Sequence, residues 1–217
     1  MGSRIMHAII GHKIADEIKM NDKQVFLLGS IAPDAVFTVE EKNASHYFIG
    51  DAEDHSRRVD VEGFLKEHHT MVDARNDYIL GYYTHLLADD IWLKGFYLSW
   101  LKNRMKEVEG LYQLYHQDFR LLNGKLLEHY GLVDDLRKAF TMIPTVPDLN
   151  NVKSKDVEEL VPFVLGDMDY DQAVKNEKLQ VFTLEQIIGY IETSVELGLY
   201  KLKSFSSLNE KEKSIKS

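Results

Sequence analysis

A histidine four residues ahead of an aspartate occurs three times in this chain, as His12/Asp16, His69/Asp73 and His85/Asp89. On a helix the two side chains project from one face, one above the other, and can share a metal ion or a proton. With nine histidines and 35 acidic residues, roughly one or two such pairs are expected by chance, so spacing alone selects none of them. Their settings differ. His12/Asp16 and His69/Asp73 stand in amphipathic or polar stretches, where an exposed pair is the simpler reading. His85 and Asp89 lie between Ile79 and Leu93 in a run that is apolar nearly all round, the pattern of a helix buried on several sides. A buried carboxylate requires a cation or several hydrogen-bond donors. A divalent metal held by His85 and Asp89 meets that requirement, and a buried structural His–Asp pair is the alternative.

A metal site needs more ligands, since catalytic zinc takes about three from the protein and a two-metal site shares a carboxylate between its ions. The chain has His7 in RIMHAIIGHKIA, Asp34 in FLLGSIAPDA, His46 in ASHYF, and His85 and Asp89 in GYYTHLLADD. In order and context these resemble the ligand pattern of the zinc-dependent phospholipase C family, which is related in fold to the helical single-strand (P1-type) nucleases. The resemblance covers residues 1–92, with a weaker echo around HQDFRLLNGKL. It implies one ion held by Asp34, His46 and His85, a second held by His7, and Asp89 bridging the two. It also implies hydrolysis of a phosphoester, most simply a phosphodiester, in a small or phospholipid-like substrate. Asp34 is the carboxylate expected to take the proton from the attacking water. Two departures limit what carries over. The secreted phospholipases use an N-terminal Trp and its free amine as a ligand, whereas this chain begins MGSRIM. They also hold a third zinc with two histidines and a glutamate after the HxxxD helix; here no His follows Asp89 until His116, and no HxxxE occurs. Two divalent ions, zinc by this resemblance, are therefore the expected complement.

The elements that must position these residues read as helices almost throughout. Residues 3–20 carry Ile5, Ile9, Ile10, Ile14 and Ile18 near a 3.6-residue period, with Ser3 placed to cap the N-terminus. A short apolar run, 25–31, ends at Pro33, whose fixed φ stiffens the turn presenting Asp34. Residues 34–61 have no clean period and read as a long ordered loop with short helical turns, a kind of segment that is usually functional. Further helices are expected at 61–70, 72–101, 111–130, 132–143, 156–165 and 183–203. Thr183 and Gln186 form a capping-box pattern for the last. Neither strand–helix alternation nor an internal repeat occurs. The expectation is an all-α, single multi-helix domain over residues 1–204, resembling the phospholipase C/P1 nuclease fold, with a polar tail at 205–217.

Composition narrows the function classes. The chain has no cysteine, which excludes disulfides, thiol nucleophiles and Cys-ligated zinc. Zinc would then be held by His and carboxylate, the mixture typical of open, catalytic sites. A net charge of −9 argues against non-specific grip on a nucleic acid duplex and against attraction to anionic lipid surfaces. No apolar run is long enough for a secretory signal or a transmembrane segment, and a cytoplasmic protein is the default.

Other residues read less sharply. His55, in GDAEDHSRR, is a candidate acid/base near Asp51 or Asp54, and Arg57 and Arg58 could meet a phosphate; a solvated loop is the plain reading. His116 and Asp118 either extend the pocket and support a ligand or lie on the surface. His12, His68, His69 and His129 read as structural or solvated, and Tyr82, Tyr83, Trp92, Phe96, Tyr97 and Trp100 as core. Two alternatives stay open: a non-catalytic helical binding protein with a structural or vestigial metal site, and an HD-type phosphohydrolase, although no HD dipeptide occurs.

Overall fold

The computed structural model describes residues 2–215, and their side chains as far as Phe205. It is all-α apart from one short antiparallel pairing. In chain order the elements are α1 (Arg4–Glu17), α2 (Lys23–Ile31), a 3-10 turn (Ala32–Asp34), α3 (Val39–Ser45), β1 (Phe48–Ile49), β2 (Arg58–Val59), α4 (Val61–Glu67), α5 (His69–Asp73) and α6 (Asp77–Trp92). There follow a π-helical segment (Leu93–Leu101), α7 (Lys102–Glu107), α8 (Leu111–Tyr130), α9 (Val133–Thr141), α10 (Ser154–Gly166), a second 3-10 turn (Gln172–Asn176) and α11 (Leu184–Ile215). Among the described residues, no helix is long and apolar enough to cross a membrane.

α6 is the axis of the fold. α2 and α11 pack along it, and α1 lies across α2, α6 and α11. Nearly every residue of α6 is buried, so its apolar character on all sides reflects neighbours on all sides. Two glycines let α2 and α6 touch backbone to backbone. A Cβ on Gly29 would fall 2.1 Å from the Tyr78 carbonyl oxygen, and one on Gly81 would fall 2.0 Å from that of Phe26. No larger residue fits either position. This approach brings the last turn of α2, with the Ser30 carbonyl, onto the middle of α6.

The ends of these helices are set by local chemistry. Ser3 caps α1, its Oγ accepting from the Met6 N–H at 3.2 Å, and Asp22 caps α2 by accepting from Gln24 and Val25. Thr183 and Gln186 exchange the two expected capping bonds ahead of α11.

Three expectations change. The helix expected at 72–101 starts later: Arg75 adopts φ +54°, and Asn76 caps α6 through its Oδ1 and the Ile79 N–H. It also changes pitch at Leu93, where π-helical turns begin. The loop expected at 34–61 has the short helical turns read there, in α3, started by a Thr38/Glu41 capping box, and adds a two-residue ladder pairing Phe48 with Val59. Finally, α11 continues as a helix through the stretch read as a polar tail, as far as Ile215; the side chains of 206–217 lie outside the described residues.

Candidate metal centre

His85 and Asp89 sit at the centre of α6, wholly enclosed. Three other elements deliver side chains to the same point. α1 contributes His7 from its first turn. The 3-10 turn after α2 contributes Asp34, which directly follows Pro33. α3 ends at His46. That end is anchored twice: Ser45 Oγ donates to the Pro33 carbonyl at 2.7 Å, and Tyr82 Oη donates to the Ser45 carbonyl at 2.5 Å. Asp34 and His46 are thus held by one network attached to α6.

The five side chains form two overlapping groups, His7/His85/Asp89 and Asp34/His46/His85, each offering ligand atoms within 4.8 Å of one another. Asp89 lies between them. Its Oδ1 is 3.5 Å from His7 Nε2, and its Oδ2 is 3.5 Å from His46 Nε2 and 3.6 Å from His85 Nε2. Asp34 Oδ1 is 3.4 Å from His46 Nε2. The His7 and His85 rings stack with centroids 3.6 Å apart.

These separations are too long for N–H···O hydrogen bonds, which cluster near 2.9–3.0 Å. The tautomers explain why. His85 Nδ1 is 2.8 Å from the Ser30 carbonyl oxygen, and His46 Nδ1 is 2.9 Å from that of Lys42. A carbonyl only accepts, so both Nδ1 atoms carry the proton and a neutral ring presents a bare lone pair at Nε2. His7 Nε2, His46 Nε2, His85 Nε2 and Asp34 Oδ2 are all buried without a hydrogen-bond partner. Lone pairs on nitrogen thus face carboxylate oxygens among buried side chains. A cation between them resolves that repulsion, and bonding a ligand histidine's second nitrogen to a carbonyl is the usual means of orienting it.

Protonating the rings instead would put several positive charges in the core. Burial opposes this: it pushes His7 down to about 3, with the His85 charge adding to the effect, and it lowers His46 as well. Burial also works to raise both carboxylates, but their neighbours outweigh it. His46, His85 and Lys42 hold Asp34 well below the ordinary value, and His7 and His85 help to do the same for Asp89. Burial thus favours the neutral ring at His7 and His46, the form in which an imidazole binds a divalent metal.

Of the residues singled out in sequence, the structure gathers His7, Asp34, His46, His85 and Asp89. His55 is elsewhere, on an exposed turn at φ +61°. Arg57 lies over the Phe48 ring and donates to Asn43 Oδ1, and Arg58 donates to the Ser56 carbonyl. Asp118 is buried but accepts from the backbone N–H groups of Gln180, Val181 and Phe182 at 2.7–3.1 Å, so it pins α8 to the segment leading into α11. His116 lines a cleft of about 420 Å³ that includes Asp34, Lys42 and Arg120. Lys42 and Arg120 went unremarked in sequence, and the only available hint was that Lys42 precedes His46 by one helical turn. No protein-family model, curated protein or solved structure matches this chain.

Proposed function

We propose that this protein is a dinuclear metal-dependent phosphoester hydrolase, most simply a phosphodiesterase of the phospholipase C-like kind. The observation that carries the reading is the set of buried, unpartnered Nε2 atoms converging on two carboxylates. Asp34, His46 and His85 would hold one ion, His7 the other, and Asp89 would bridge them with one oxygen directed to each side. The donor set is all nitrogen and oxygen, which suits zinc in an open site.

When bound, two such ions lower the pKa of a water to about 7 and stabilise charge on phosphoryl oxygens. The chain's own residues do the rest. Ser30 and Lys42, through their carbonyls, keep the Nε2 lone pairs of His85 and His46 directed inward. Asp34 faces the cleft and has an oxygen, Oδ2, without a partner; it is the group placed to hold the proton of the attacking water. The enclosing apolar helices exclude bulk water from Asp89, which strengthens every charge interaction there.

The test pairs two measurements on protein purified without chelator: metal content, and hydrolysis of bis-p-nitrophenyl phosphate, for wild type and Asp89→Ala. About two ions per chain and an activity lost in the variant are expected. A metal-free wild type, or a fully active variant, would overturn the reading. Metal bound at full stoichiometry without hydrolysis would instead favour a structural metal centre in a binding protein.

A further inference from the structure

The cleft that opens onto Asp34 gathers positive charge on a chain whose net charge is −9. Arg4 comes from α1, Lys42 from α3, and His116 and Arg120 from α8. His116 and Arg120 are four residues apart and share one face of that helix. Asp118, on the opposite face, is fastened to Gln180, Val181 and Phe182, which fixes the rotation of α8 that turns the basic face toward the cleft. The positive charges of Arg120 and Lys42 reach His116 across the gap and, after burial, are what lower its pKa.

The carboxylates in the cleft are already engaged. Asp167 binds Arg4 at 2.8 Å, and Asp34 belongs to the metal cluster. Lys42 is 3.6 Å from Asp34 Oδ1, and Arg120 lines the same cleft with its side chain exposed. Arg4, Lys42 and Arg120 outnumber Asp34 and Asp167 in the lining, so the cleft attracts an anion. Asn123, one turn beyond Arg120, is 7% exposed and lines the same cleft, and its Oδ1 is buried without a partner. It is an acceptor for a protonated phosphate oxygen or a neighbouring hydroxyl.

We propose that Lys42, His116, Arg120 and Asn123 form an anion subsite for a phosphate other than the one hydrolysed, so that the substrate is a phosphodiester carrying a second phosphate. The substrate class rests on the hydrolase reading above, whereas the subsite itself can be tested without turnover.

Two matched pairs of probes separate the claims. Propyl phosphate and propane-1,3-diyl bisphosphate are titrated calorimetrically into the zinc-loaded protein. Then p-nitrophenyl propyl phosphate and its 3-phosphooxypropyl analogue are compared as substrates. The bisphosphate is expected to bind at least about tenfold more tightly than the monophosphate, the scale of one charge-assisted hydrogen bond. Arg120→Gln and Lys42→Ala, both at exposed side chains, should each reduce that ratio severalfold, and the same preference should appear in kcat/KM.

Equal binding of the two probes, or an undiminished ratio in both variants, would overturn the subsite. Variants that weaken both probes equally would assign the cations to the scissile phosphate and overturn it as well. Inorganic phosphate binding as tightly as the bisphosphate would mark a product-phosphate site and overturn the second-phosphate assignment. Discrimination in binding with no hydrolysis of either ester would keep the subsite and remove the hydrolase.

Discussion

Asp89 and Asp118 are both fully enclosed carboxylates on long helices, and the molecule treats them in opposite ways. Asp118 accepts from three consecutive backbone N–H groups, which is how a structural carboxylate is kept charged in a core. Around Asp89 stand His7, His46 and His85, with ring nitrogens 3.5–3.6 Å from its oxygens, two of them with the Nδ1 proton turned away to a carbonyl. The same residue type at the same depth is thus a backbone fastening in one helix and the middle of a histidine cluster in the other. Burial does not distinguish them. The protonation state of the neighbours does.

The largest effect should come from breaking the Asp89 side of this pair. Asp89→Ala should lower bis-p-nitrophenyl phosphate hydrolysis by about a thousandfold, as loss of a group stabilising transition-state charge does, and should cut zinc content below one ion per chain. Asp118→Ala should do the reverse. It strands three backbone donors, so stability to urea should fall by about 3 kcal/mol or more, while the zinc content of the folded fraction stays at two. A folded Asp118→Ala protein that had lost its zinc would erase the distinction.

The pH dependence of the metal-free protein sharpens it further. Unfolded His7 takes up a proton near pH 6.5, but in the folded chain it does so only near 3. Between those values the unfolded state binds more protons, so stability should fall as pH drops from 6.5 toward 3. Denaturation across that range should show a shallower slope for His7→Gln than for wild type. Identical slopes would mean that His7 is not held neutral.

The smallest effect belongs to His12/Asp16, where His12 is buried but the carboxylate stands in solvent. Its 3.2 Å contact is screened by solvent, with the Asp16 side chain 55% exposed. Asp16→Ala should change stability by less than about 1 kcal/mol and leave zinc content unaltered.

These contrasts mark what was legible in sequence. The all-α character followed from periodicity and caps, and Ser3, Thr183 and Gln186 cap where their types suggested. His85/Asp89 stood out from His12/Asp16 because its neighbours are apolar, and the structure buries the first pair while leaving Asp16 in solvent. What escaped depends on long-range partners. Asp118 looks like any polar helical residue until Gln180–Phe182, 62 to 64 residues on, supply its donors. The basic cleft is assembled from Arg4, Lys42 and Arg120 on three elements, with no local pattern to announce it. The start of α6 was readable in principle, since Asn76 is a good N-cap, set in the polar stretch Asp73–Asp77.

The most direct test of the central claim is anomalous scattering at the zinc edge from crystals of untreated protein. Two peaks are expected, one among Asp34, His46 and His85 and one beside His7, with Asp89 between them. Peaks elsewhere, or none in protein never exposed to chelator, would contradict the assignment of these five residues as a dinuclear site.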